Sequence, residues 1–181
     1  MATSTERRYI YPIESYAVSL THHFGLFRET ITVTIADIEL ANSQLDICRL
    51  TMVRHGSRFL IDDIYGTGFY SLFSNRGIGT LFLNSALGYL SAYYPPETVI
   101  YGQLSTDDDP LPIIQQKLYS ACCARRRHFF SRYGFVFESE SPLSWFSGPL
   151  SSLDLVVNGL FLGRHPRYIP FTDFIDVSPG E

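Results

Sequence analysis

The chain has 181 residues, 45% of them apolar and 15% aromatic, and a net charge of −4. That length suits one domain with at most an extension, and that apolar content excludes wholesale disorder. The overall charge balance points to neither nucleic acid nor an acidic membrane surface as a partner.

The opening, Met1–Arg8, has basic residues with no apolar run behind them, so no secretory leader is expected. Residues 1–28 are otherwise ambiguous: Tyr9–Tyr11 can form a short strand and Ser15–Phe24 a short helix. Thr30–Ile35 then alternates polar and β-branched apolar residues, the period of a half-buried strand. The alternation shifts phase between Ile35 and Ile38, as a bulge would cause. Ala41-Asn42-Ser43 is turn chemistry, Leu45–Val53 reads as a strand, His55-Gly56-Ser57 as a turn and Arg58–Ile64 as a further strand. Short turns between such strands imply an antiparallel meander.

Tyr65–Ser74 is rich in Gly, Tyr and Phe and leads into Asn75-Arg76-Gly77-Ile78-Gly79-Thr80. From Thr80, Leu81, Leu83, Ala86, Leu87, Leu90 and Tyr93 recur at helical spacing until Pro95-Pro96. Thr98–Leu104 is a strand, and the acidic loop 105–110 suits a helix entry. Ile114, Leu118, Ala121, Cys122, Arg125 and Phe129 keep the spacing of a second helix, with Gly134 as its C-cap. Phe135–Glu138 and Leu153–Val157 read as strands. Asn158–Glu181 reads as an extension lying over the domain or partly disordered, outside a single domain at 1–157. The order implies mixed α/β, with a mostly antiparallel sheet that turns parallel around the crossover helix.

The most apolar stretch, Leu81–Tyr94, is too short and too interrupted to span a bilayer, so a soluble protein without membrane contact is expected. The three cysteines, Cys48, Cys122 and Cys123, are odd in number and two are adjacent, which fits a reducing cytoplasm better than a disulfide framework. The five histidines show no zinc spacing, so no metal is expected.

The turn at 75–80 has a definite physical use. The first turn of a helix exposes N–H groups and the positive end of the dipole. Glycines remove the Cβ atoms that would hold a phosphate away. Arg76 adds charge and Thr80 a hydroxyl donor. No Lys-Ser/Thr follows the second glycine, which excludes a Walker-type loop, and no dinucleotide fingerprint fits. By itself the turn marks a generic anion site or a packing device.

A second element is Arg125-Arg-Arg-His-Phe-Phe-Ser-Arg-Tyr-Gly-Phe135. Together the two elements resemble the GNAT superfamily of acyl-CoA-dependent N-acyltransferases. That family carries Arg/Gln-x-x-Gly-x-Gly/Ala at a helix start, then a strand, then a helix ending in an aromatic stretch closed by Gly-Phe. Here the motifs are Ser74–Gly79 and Phe129–Phe135, with Thr98–Leu104 between them, and the match covers roughly 29–157. The resemblance implies a V-shaped splay between two parallel strands, flanked by helices. It implies acetyl-CoA or another acyl-CoA as co-substrate, its pyrophosphate on the backbone of Asn75, Arg76, Gly77, Ile78, Gly79 and Thr80. Arg126, in the basic run 125–128, is a candidate for the CoA 3′-phosphate, and Phe130 lies at the CoA-side position of the second motif. The acceptor would be an amine on a small molecule, a protein or an aminoacyl-tRNA, and family members often form homodimers.

Three departures stand out. Ser74 replaces Arg or Gln, Phe130 replaces the tyrosine that protonates the leaving thiolate in many members, and the opening is short for the family's strand and two helices. Asp62 and Asp63 are candidate bases and Tyr133 and Ser131 candidate acids, each weighed against an ordinary structural role. A nucleophilic role for Cys122 or Cys123 lacks a positioned His-Asp partner. Two further readings stand beside the enzyme: a GNAT-fold CoA-binding or regulatory protein without turnover, and an unrelated α/β interaction module whose glycines serve packing.

Overall fold

A computed structural model describes residues 5–14, 16–37, 48–65, 77–105, 112–161 and 163–179. The chain opens with β1 (Thr5–Ile13), β2 (Tyr16–Phe24), β3 (Glu29–Asp37), β4 (Cys48–His55) and β5 (Arg58–Tyr65). Helix α1 (Ile78–Tyr93) leads to β6 (Val99–Gln103), and helix α2 (Pro112–Ser131) to β7 (Val136–Phe137) and β8 (Trp145–Pro149). Then come β9 (Leu160–Phe161), β10 (His165–Pro166) and β11 (Ile175–Asp176).

Nine strands form one sheet in the order β11-β1-β2-β3-β4-β5-β6-β8-β7, and β9 pairs with β10 separately. Only β5 and β6 run parallel among the described pairings. The expected mixed α/β class, with a large and mostly antiparallel sheet and two helices, is the one observed. The meander β3-β4-β5 and its turn at Gly56 (φ 63°) also match expectation. The phase shift at Ile38 and the turn at 41–43 lie outside the described residues.

Two expectations need correction. The helix expected over Ser15–Phe24 gives way to a strand: β2 occupies Tyr16–Phe24 and pairs on both sides, with β1 and β3, while Ser15 lies outside the described residues. Val18, Leu20 and His22 are its fully buried positions, a period of two. Leu153–Val157 is not a strand either; the strand lies earlier, at Trp145–Pro149. The backbone around Val156 is satisfied by a side chain instead. Val156 N–H donates to Asn84 Oδ1 (3.0 Å) and Asn84 Nδ2 donates to the Val156 carbonyl (3.0 Å). A buried amide thus takes the place of a neighbouring strand.

One row of paired positions crosses the sheet from His22 through Ile31, Met52, Ile61 and Gly102 to Phe146. Tyr89 of α1 bonds to His22, and Phe130 of α2 stacks on Phe146, so both helices cover the same face. Helix α1 is buried nearly all round, from Ile78 to Leu90. A helix of that kind needs cover on both sides. The sheet supplies one side. The C-terminal segment supplies the other: Phe161, Ile169 and Phe174 are buried, Phe171 packs edge-on against Tyr9, Tyr89 and Tyr93, and β11 joins the sheet beside β1. The segment expected as an extension is therefore the second wall of the core. No described helix is long and apolar enough to cross a membrane.

Candidate functional site

The head of α1 is built around Gly77, its N-cap, in the left-handed region (φ 84°, ψ 10°). It has no side-chain cap and no acidic residue in its first turn. Leu81 N–H donates to the Gly77 carbonyl (3.0 Å), which starts the helical ladder. The N–H groups of Ile78, Gly79 and Thr80 therefore lie ahead of any intrahelical partner. Asn75 and Arg76, with Ser74, fall outside the described residues.

The C-terminal segment brings an arginine to this turn. A Cβ on Gly77 would sit 2.3 Å from Arg167 Nε, and one on Gly159 (φ 107°) 2.8 Å from Arg167 Nη1. Arg167 is anchored twice: its Nε donates to the Leu160 carbonyl (2.7 Å), and its own carbonyl accepts from Asn84 Nδ2 (2.7 Å). Asn84 is fully buried. Sequence reading missed Arg167 because it lies far from the turn along the chain and belongs to neither motif. At Gly79 a Cβ would meet only the Phe129 ring, at 3.6 Å, an ordinary contact.

Of the other candidates, Tyr133 joins the turn from below. Its phenol donates to the Thr80 carbonyl (3.1 Å) and is closed from solvent. Burial pushes its pKa well above the usual phenol value, against the opposing Thr80 bond and the charges of Arg132 and Arg167. Phe130 lies in the core, its ring 4.1 Å from Phe146. Ser131 is exposed and donates back to the Arg127 carbonyl of its own helix (2.5 Å). Arg126 is half-buried, with Nη2 3.6 Å from Cys123 Sγ. Its neighbour Arg127 turns onto the β7–β8 connection, bonding the carbonyls of Ser139 and Ser141.

Asp62 and Asp63 straddle a bulge in β5. Ile61 faces Met52 and Asp63 faces Thr51, so Asp62 is the extra residue. Arg28 Nη2 reaches Asp62 Oδ2 (3.2 Å) and Arg49 Nη2 reaches Asp63 Oδ2 (3.7 Å). Both carboxylates stay nearly half exposed. The parallel register of β5 with β6 ends just before them, at Ile61 opposite Gly102.

A second polar cluster, unforeseen from the sequence, sits at the other end of α1. His22 Nδ1 is 2.5 Å from Tyr89 Oη, and its Nε2 is 2.9 Å from Glu29 Oε1. Tyr94 O–H also donates to Glu29 Oε1, and Arg54 Nη1 donates to Glu29 Oε2 (2.8 Å). One proton assignment satisfies every group: Tyr89 donates to Nδ1, and Nε2–H donates to Glu29. Burial lowers the His22 pKa and outweighs the neighbouring carboxylate, which works to raise it. For Glu29, burial acts to raise the pKa. The hydrogen bonds from Tyr94, Arg54 and His22 outweigh it and hold the group below the usual carboxylate value. His22 and Tyr89 are sealed from solvent, so the chain of bonds ties β2, β3, β4 and α1 together rather than offering a nucleophile. The one clue in the sequence was His22 continuing the two-residue period of Val18 and Leu20.

Among the described residues no group of three or more His, Cys, Asp and Glu side chains is placed to hold a metal. No family model, curated protein or solved structure matches the chain.

Proposed function

We propose that this chain binds an acyl-CoA thioester and transfers its acyl group to an amine. The observation that carries the reading is the junction of β5, α1 and β6. Parallel strands joined by a crossover helix lose their pairing beyond Ile61 and Gly102, and the helix begins on a left-handed glycine with no acidic cap. The GNAT resemblance asks for a turn and a strand gap of this kind.

In this reading the phosphates lie on the N–H groups of Ile78, Gly79 and Thr80, where the helix dipole favours negative charge. Arg167 supplies a cation beside Gly77, which answers the missing Arg or Gln at Ser74. The thioester arm runs in the gap past Ile61, beside the bulge at Asp62. A backbone N–H there polarises the carbonyl, and the amine nitrogen attacks it directly, forming the amide and expelling the thiolate. Asp62 and Asp63 are the carboxylates beside that gap.

One observation favours CoA binding without turnover. The side chain at the acid position, Phe130, is packed in the core, and the nearby phenol of Tyr133 is spent on the Thr80 carbonyl. Calorimetric titration with acetyl-CoA tests both readings, and absence of binding at millimolar ligand ends both. Thiol release in the presence of an amine and protein panel then separates them.

A further inference from the structure

The face of the sheet opposite the helices carries an array that acyl transfer does not use. Tyr101 on β6 is its centre. The guanidinium of Arg58 lies 4.2 Å above the Tyr101 ring, His55 Nδ1 is 2.7 Å from the Tyr101 hydroxyl, and Trp145 stacks with Tyr101 at 6.1 Å and 28°. The register explains the grouping. Tyr101 lies opposite Leu60 and Ser147, and Trp145 opposite Gln103, all turned away from Phe146 and the helices.

Two features bear on what the array can bind. First, it is exposed: Trp145 is 40% accessible, and Arg58 and His55 are open to solvent. Second, its basic groups meet no carboxylate among the described residues. Arg28, Arg49 and Arg54 each meet a carboxylate, whereas no described carboxylate lies within ion-pair distance of Arg58 or His55. An indole at the end of a stack, beside a guanidinium and an imidazole that meet no described carboxylate, offers a ring partner and an anion partner together.

We infer that this face binds single-stranded nucleic acid, with a base stacked on Trp145 and the adjoining phosphate on Arg58 and His55. A mononucleotide has the same chemistry, but it needs a concave pocket to gain affinity, and this array lies on an open sheet face. A strand adds contacts along a flat surface, with stacking that tolerates any base. The net charge of −4 sets the average field rather than the field at this array, and it limits binding to low salt. The inference stands independently of the acyl-transfer reading.

Trp145 is the chain's single tryptophan, so its fluorescence reports on the site directly. The full chain is titrated at low salt with octauridylate RNA, with heparin as a polyanion lacking bases, and with UMP. Quenching by the octamer that saturates and weakens with salt is the expected result, with heparin and UMP giving none at matched charge. Arg58→Gln, an exposed and fold-neutral change, lowers affinity about tenfold, and Trp145→Phe lowers binding of a fluorescently labelled octamer by a similar factor. Absence of quenching by the octamer overturns the inference. So does equal quenching by heparin, which reduces the site to plain charge, or UMP binding as tightly as the octamer. Unchanged affinity in Arg58→Gln overturns it as well.

Discussion

The two ends of α1 contrast in how they treat polar groups. At its C-terminal end, His22, Glu29, Arg54, Tyr89 and Tyr94 satisfy one another, and the interior members are sealed. At its N-terminal end, Gly77 caps the helix without a side-chain bond, the first turn holds no acid, and Arg167 adds further positive charge. A saturated cluster contributes rigidity because it has no valence left to offer. An end with a positive dipole, a cation and no acid in its first turn gains from an anion. That difference separates the half of the core that the polar cluster ties together from the half where the ligand is proposed to bind.

The largest expected effect breaks the saturated end. Glu29→Ala leaves His22, Tyr94 and Arg54 without their shared acceptor and costs about 3–5 kcal/mol, at about 1–3 kcal/mol for each donor stranded in the interior, read by urea unfolding. A loss below about 1 kcal/mol would mean that water replaces the carboxylate and that this end is not the rigid one. Next is Asn84→Ala, which strands the Val156 backbone and frees the Arg167 carbonyl. About 2–4 kcal/mol is expected, with hydrogen-exchange protection lost along the segment 156–177 before the meander. Uniform loss across the sheet would show that the segment is not a separable wall.

The open end is probed through binding. Gly79→Ala meets only an ordinary contact with Phe129, so stability should hold or rise by about 0.5–1 kcal/mol. Acetyl-CoA affinity should fall about tenfold, roughly 1.4 kcal/mol. Unchanged affinity in the folded variant would return the glycines to a packing role. Arg167→Gln should weaken binding by about threefold, more at low salt; no change would leave the arginine a mere strut between Leu160 and Gly77.

The mildest effect is a pH slope from the saturated end. Both His22 and Glu29 titrate below their ordinary values of 6.5 and 4.5. A depressed folded pKa means that the unfolded chain takes up protons first, so the contribution is present above the ordinary value and is lost as pH falls. Stability should decline from about pH 6.5 downward and again below about 4.5. His22→Gln should erase the upper step in a series of melting temperatures. If the step survives, another histidine carries it.

Local pattern determined much of this protein. The alternation at Thr30–Ile35, the turn at Gly56, the helical spacing from Leu81 to Leu90 and the stop at Pro95-Pro96 are short-range signals, and each appears where its residues place it. The glycine turn ahead of α1 was legible through Gly77 and Gly79 because a missing Cβ is a property of the residue itself. Tertiary structure decided the rest. Tyr16–Phe24 became a strand because β1 and β3 flank it. The backbone at Val156 needed no strand partner because Asn84, distant in sequence, supplied both bonds. Arg167 reached Gly77 and Trp145 reached Tyr101 only through the packing of the closing segment and the placing of β8 beside β6. Burial and pairing between distant residues depend on which surfaces meet, and no window of neighbouring residues contains that information.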